Sequence, residues 1–256
     1  MDYLIKVKGY SFLEAVETII GHTAIQAPVY EKPQSKEENK PLLLPEKCAS
    51  NRVITEYLFG RGIDFEIINY CISNDLIFES LPYHNVVFVG YDEKKEPKYA
   101  AYRSTNKRRI MGDCSGSKKD YSFRLGKENL EEVHLFECAI DLLSYATLAK
   151  LNGQDWKEMS FVSLSGVYSP AKKIEDSKVP IALEKYLGSN PSVRKIRIHF
   201  DNDIAGRKAA QTLKTILPDK YEIVDEPPKA GKDFNDFLCM RMGIYNKKTH
   251  ERNEER

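Results

Sequence analysis

Long apolar runs are missing from this 256-residue chain; even LIFESLPYHNVVFVGY (76–91) is broken by Glu79, Pro82 and His84. That falls short of the roughly 20 apolar residues needed to span a bilayer, so no membrane partner is expected. The N-terminus, MDYLIKVKGYSFLEAVE, has no sustained apolar stretch before a small-residue cleavage site. No secretory signal is read, and the cytoplasm is the expected compartment. Cysteine is scarce: five residues, widely spaced, odd in number and never in a CxxC pair. This argues against a disulfide framework or a zinc ribbon. The five histidines show no ligand spacing either, so no zinc site is expected. A dominant charge is also absent, with Lys+Arg 39 against Asp+Glu 38 for a net +1. At 41% hydrophobic and 30% charged, the composition excludes disorder and fibrous repeats. The length suffices for one large or two ordinary domains.

Ser11 and Glu14 form a capping box ahead of Phe12, Ala15, Val16 and Ile19 on one helical face, and Gly21 ends the pattern. YEKPQSKEENKPLLLPE (30–46) has no period and reads as a linker or an extended arm. Two helices follow. Val53, Ile54, Tyr57 and Leu58 line the first, Arg61-Gly62 makes the turn, and Asp64 caps a second carrying Ile67, Ile68, Cys71 and Ile72. NVVFVGY and PKYAAYRS predict a β-hairpin. The small net charge hides a basic segment: residues 94–119 hold nine basic groups against Glu96 and Asp113, a local +7. From about residue 131, VHLFE, MSFVSLSG, RKIRIHFD and YEIVDE alternate with helical stretches. This is the pattern of a parallel sheet with crossover helices.

In such sheets ligands bind beyond the carboxyl ends of the strands. Glu137 closes the first strand and Asp141 follows four positions later; Asp201 and Asp203 close the third; Asp233 and Asp236 open the final helix. Clustered carboxylates repel one another unless a cation holds them, and oxygen-only donors favour Mg²⁺ or Mn²⁺ over Zn²⁺. Each acid also has an ordinary reading. A lone D-x-D is common in loops, Asp233 fits a helix cap, and Asp141 alone fits a solvated helix residue. Their shared position after strands favours the metal reading. Ala205-Gly206-Arg207-Lys208 turns tightly into a helix whose N-terminus suits phosphate. MGDCSGSKKD lacks the spacing of a P-loop.

Glu137, Asp141, SLSG ending at Gly166, FDNDIAG and KDFND together resemble the Toprim domain of DnaG-type primases, type IA and type II topoisomerases and certain nucleases. YLFGRGI (57–63) is similar to the start of a primase catalytic core, and PKYAAYRST to its basic nucleic-acid-facing segment. GSKKDYSF and FECAIDLLSY resemble Toprim primase-like proteins of bacterial mobile elements. The resemblance implies an α/β Toprim fold, Rossmann-like with a mostly parallel sheet and flanking helices, behind a smaller α+β basic subdomain. Its divisions are a remnant helix over 1–29 resembling the end of a primase zinc-binding domain, a linker over 30–46, a basic subdomain over 47–128, the Toprim domain over 129–241 and a disordered tail over 242–256. The Cys/His ligands that precede that first helix in primases are missing, so a shortened N-terminus is expected. Two departures stand out. Cys138 replaces the glycine usual after the catalytic Glu, and Asn235 stands where replicative primases often carry an acid.

The resemblance further implies primer synthesis on single-stranded DNA from nucleoside triphosphates, with a replicative helicase as partner. Glu137, Asp201 and Asp203 would be catalytic and hold Mg²⁺ or Mn²⁺, with Asp141, Asp233 and Asp236 in supporting or second-site roles. Arg61, Lys98, Arg103, Lys118, Lys119, Arg207 and Lys232 are the candidates for template or nucleotide phosphates. A Toprim nuclease and an inactive single-strand-binding remnant are the alternatives. The first uses the same acids to direct water. A helix-turn-helix over 50–73 is disfavoured, because FEIINYCISN offers no Arg or Lys to DNA.

Overall fold

The computed structural model describes residues 3–4, 7–8, 40–106, 108–166, 168, 170–171 and 173–244. The chain divides into two compact units, 1–39 and 40–256. In the first, the Val7 and Lys8 amides donate to the Tyr3 carbonyl. The helix expected over 11–20 lies outside the described residues. All that follows concerns the second unit, in which no described helix is long and apolar enough to cross a membrane.

Two short helices, α1 (Arg52–Phe59) and α2 (Phe65–Ser73), open the unit. Gly62 makes the corner between them at φ +83°, a left-handed conformation that costs glycine little. A Cβ there would press on Leu238 and Ile244. Asp64 accepts the Glu66 amide and caps α2, as its sequence position predicts. The expected hairpin is β2 (Val86–Tyr91) against β3 (Pro97–Arg103), extended on either side by β1 (Ile77–Glu79) and β4 (Met111–Asp113) into an antiparallel sheet ordered β1-β2-β3-β4.

The second sheet contains β5 (Arg124–Gly126), β6 (Glu132–Phe136), β7 (Ser160–Ser163), β8 (Lys195–His199) and β9 (Glu222–Asp225) in the order β5-β7-β6-β8-β9. All its pairings are parallel except the antiparallel edge strand β5. The connecting helices are α3 (Ala139–Leu151), α4 (Ile181–Ser189) and α5 (Ile204–Ile216), and α6 (Phe234–Arg241) follows β9. The α/β class with a smaller α+β region ahead of it is thus the observed fold.

The period-2 rule divides β6 cleanly. Val133 and Leu135 face a core with Leu183 and Tyr186 of α4 and Ala209 and Leu213 of α5. Phe136 faces a second core containing Ile140 and Leu142 of α3, Phe234 and Leu238 of α6, and Ile54, Leu58, Ile67 and Ile68 of α1 and α2. The apolar stripes of the first two helices are therefore buried in the same core as the second sheet. This continuous packing fixes α1 and its following turn against the strand ends. Sandwiched between layers, α3 is buried on nearly every side.

Two boundaries differ from expectation. Within the segment read as a linker, residues 40–46 are tied to the first sheet: Leu43 donates to the Ser115 carbonyl and Leu81 to that of Glu46. Backbone groups with fixed partners make residues 40–46 a strap, which fits the extended-arm reading of this segment rather than the spacer. At the other end, Ile244 donates to the Cys239 carbonyl, so the ordered chain passes 241. The rest of the expected tail lies outside the described residues.

Candidate active site

The strand ends deliver the acids to one rim. Glu137 follows β6 directly and is 6% exposed. Its Oε1 accepts the Asp201 amide at 3.1 Å, tying the end of β6 to the end of β8. Asp203 caps α5 by accepting the Gly206 amide at 2.9 Å, and Asp233 caps α6 by accepting that of Asp236 at 2.7 Å. The capping and metal readings of these residues are therefore compatible, because each cap leaves a second carboxylate oxygen. Asp141, one turn into α3, is 7% exposed and accepts the Asn235 amide at 3.1 Å.

Lys232 lies across the centre. Its Nζ stands 3.4 Å from Asp201 Oδ2 and 3.2 Å from Asp203 Oδ2. It was expected to meet phosphate; here its ammonium neutralises the paired acids. No three of the six acids bring carboxylate oxygens within 4.8 Å of one another among the described residues. The donor chemistry nevertheless fits a divalent cation. The groups are oxygen-only, a positive charge already bridges two of them, and Glu137, Asp141, Asp201 and Asp236 are all held above the ordinary carboxylate range.

Burial, then the nearby charge of Asp201, pushes the Glu137 carboxyl up to about 7. Burial, then Asp233, raises Asp141 to about 7. Asp201 and Asp236 are raised for the same two reasons, burial and Asp233. Asp203 is lowered, first by the Gly206 amide it caps.

A pH prediction follows for the metal-free protein. A carboxyl whose acidity is weakened by folding stabilises the fold fully below its unfolded value, and that contribution is lost as pH rises through about 7. His199, driven well below its ordinary range by burial and then by His134, acts in the opposite sense at lower pH. The clean window is therefore above the ordinary histidine value. In chelator, Tm falls by on the order of 5 °C between about pH 6.5 and about pH 8.5. Differential scanning calorimetry checks this, and Mg²⁺ at the higher pH restores the loss.

Both departures from the Toprim pattern have structural consequences. Cys138 directs its thiol at Asp141 Oδ2, 2.8 Å away, and lines a 280 Å³ cavity with Tyr99, Tyr102, Arg103, Phe123 and Ser165. Asn235 is buried; its Nδ2 donates to the Arg61 carbonyl (2.9 Å) and to Ser144 Oγ (3.0 Å). An ionised Asp could not make those two donations, so Asn235 pegs the α1–α2 turn to α3.

The basic candidates divide. Arg61 donates to Tyr57 Oη at 3.4 Å, and Arg103 donates to the same hydroxyl at 3.2 Å. Tyr57, which sequence reading placed only on an apolar helix face, thus joins two cations. The Arg61 Nε is buried without a partner. Lys119 reaches the Ser165 carbonyl at 3.5 Å, on the loop whose Gly166 amide donates to the Glu137 carbonyl, and also pairs with Asp113 at 3.0 Å. The Lys118 amide donates to the Lys98 carbonyl. Lys98 itself is paired with Glu96 and Asp92 at the hairpin turn.

Arg207 departs from its expected role. Its guanidinium donates to the Phe200 and Asp201 carbonyls and to both oxygens of Asp225. A fork-shaped cation engaged through all three nitrogens is a latch between β8, α5 and β9, and these contacts commit most of its donors within the protein.

Residues 134–238 match the family described as Toprim-like, and residues 56–129 match one described as a protein of unknown function (DUF3991). No curated protein matches the chain. Among solved structures, the primase fragment of the bacteriophage T7 primase-helicase protein is 18% identical, with 73% of this chain and 69% of that chain covered at a TM-score of 0.49. The E. coli primase catalytic core is 12% identical over 80% and 72% of the two chains, TM-score 0.47. A DnaG primase catalytic domain bound to single-stranded DNA is 14% identical over 79% and 71%, TM-score 0.47. The carboxylate rim at residues 137–236 thus falls within the segment that matches the Toprim-like model, and that segment shares a core with the segment that matches DUF3991.

Proposed function

We propose that the chain is a primase-like nucleotidyltransferase that extends a 3′-hydroxyl on a single-stranded DNA template. The observation that carries this reading is the gathering of Glu137, Asp201 and Asp203 at one rim, with the Arg61–Tyr57–Arg103 group held nearby by a common core. A divalent ion bound by Glu137, Asp201 and Asp203 would supply Lewis-acid stabilisation of the attacking hydroxyl and of the departing pyrophosphate.

The chain's own residues do the rest. Lys232, more than half exposed beside two acids, is placed to exchange them for the phosphates of an incoming nucleotide. Arg61 and Arg103 carry fixed positive charge to the edge of the first subdomain, where contacts to template phosphates would be largely independent of sequence. Asp141 supports the rim from α3, held by Cys138 and Asn235. In this proposal the supporting ions are Mg²⁺ or Mn²⁺, and a helicase is a partner to be sought by co-purification from a mobile-element host.

Incubation with single-stranded template, labelled nucleotides and Mg²⁺ or Mn²⁺ tests the reading. Template-dependent, extended products are expected. Shortened template would instead assign the rim to the Toprim nuclease, and binding without either product would assign the chain to the inactive remnant.

A further inference from the structure

We infer that Cys48, Glu79 and His84 form a second metal site, for zinc, in the first subdomain. Among the described residues these are the one set of three Cys, His or carboxylate groups whose ligand atoms all lie within 4.8 Å of one another. They come from the strap before α1, the last residue of β1 and the loop before β2, which is why their spacing along the chain carries no signal. The proposed site runs against the expectation that the chain holds no zinc, and it is independent of the reaction proposed for the acid rim.

Glu79 is the anchor. Its side chain is 2% exposed, and Oε2 accepts the Val53 and Ile54 amides at 2.9 and 3.3 Å, at the start of α1. Its own amide donates to Asn51 Oδ1 at 2.9 Å, and its carbonyl accepts the Cys48 amide at 2.8 Å. The carboxylate is thus held by one oxygen, leaving Oε1 to face His84 Nδ1 at 2.6 Å. Such outer hydrogen bonds are what orient a ligating carboxylate. The loop is held as well, since Thr105 Oγ1 donates to the His84 carbonyl at 3.0 Å. The Lys47–Ser80 bridge holds the strap beside β1. Cys48 is a free, half-buried thiol.

Charge and donor type select the ion. A thiolate and a carboxylate together balance a dication, and a neutral imidazole completes a sulfur, nitrogen and oxygen set. That set suits zinc and is foreign to magnesium. Zinc bonds of about 2.0–2.3 Å in a tetrahedron separate ligand atoms by roughly 3.3–3.8 Å, so the His84–Glu79 pair opens by only about 1 Å to admit the ion. The His84 side chain is 45% exposed, which leaves a solvent side for a water as fourth ligand. A metal here would clamp the strap, β1 and the 81–85 loop to the N-terminus of α1, the helix that carries Tyr57.

Cobalt(II) titration of the purified full chain tests the site. A thiolate-to-cobalt charge-transfer band in the near ultraviolet should saturate at about one equivalent and disappear on adding Zn²⁺. Cys48→Ser and His84→Ala should each abolish it, whereas Cys138→Ser and Asp201→Asn should leave it intact. Zn²⁺ should raise the Tm of the parent chain and not that of Cys48→Ser, whose folding is verified by circular dichroism. Absence of the band, its survival in Cys48→Ser, or its loss in Cys138→Ser would overturn the assignment.

Discussion

Replacing Asp201 and Asp203 together by Asn is expected to reduce template-dependent nucleotide incorporation by at least about 100-fold while leaving the protein folded and bound to single-stranded DNA. Removing a single preorganised electrostatic contact already costs on the order of 10²–10³ in rate. This change removes two carboxylate charges at once. The choice of Asn is deliberate. Asp203 caps α5 through its Oδ1, and an Asn caps a helix about as well, so the loss of charge is separated from the loss of about 1 kcal/mol that Ala would bring. Lys232 loses both partners, but at 58% exposure its ammonium is readily solvated, and surface pairs of this kind are worth about 0–1 kcal/mol. DNA affinity should hold or rise, since the variant presents less negative charge to a polyanion. Filter binding at fixed salt beside the incorporation assay reads both halves. Activity equal to the parent chain would sink the metal assignment; joint loss of binding would point to misfolding instead.

Gly206→Ala is expected to impair fold and activity together. A Cβ at this position would stand 2.4 Å from the Asp201 carbonyl oxygen and 2.9 Å from Glu137 Oε1. The first neighbour is backbone at the end of β8, latched by Arg207, and cannot rotate away. Relief requires Asp201 to move, and with it the amide that holds Glu137. Overpacking of this kind costs about 1–3 kcal/mol, and a displacement near 1 Å at reacting groups costs about 100-fold in rate. Thermal melts and the incorporation assay measure the two effects. An Ala variant with parental Tm and activity would show that the close packing of α5 on the two strand ends is not what sets the acids.

Much of this was legible in the chain. The alternation from VHLFE onward gave the right order of strands and helices because each apolar run is long enough to show its period. The acids at 137, 141, 201, 203, 233 and 236 were singled out by where they fall relative to strand ends, and their assignment to metal remains the proposal. The edges were not legible: β1, β4 and β5 have three residues each, too few to show a period of two. Side-chain roles set by distant partners were also hidden. Lys232 meets Asp201 and Asp203, Tyr57 meets Arg103, and Asn235 meets Arg61 and Ser144 only because the fold brings them together. Arg207 shows the converse, since a cation next to a helix N-terminus looks free in a sequence until Asp225 arrives from β9. Cys48, Glu79 and His84 are hidden most completely, for no spacing rule joins a strap, a strand end and a loop.

The central claim is that Glu137, Asp201 and Asp203 gather divalent ions at this rim. Anomalous scattering from crystals soaked in Mn²⁺ tests it most directly. The account predicts density beside the Glu137 and Asp201 carboxylates, with the Lys232 ammonium displaced from between Asp201 and Asp203. Manganese absent from this rim, with Lys232 still bridging the two acids, would contradict it.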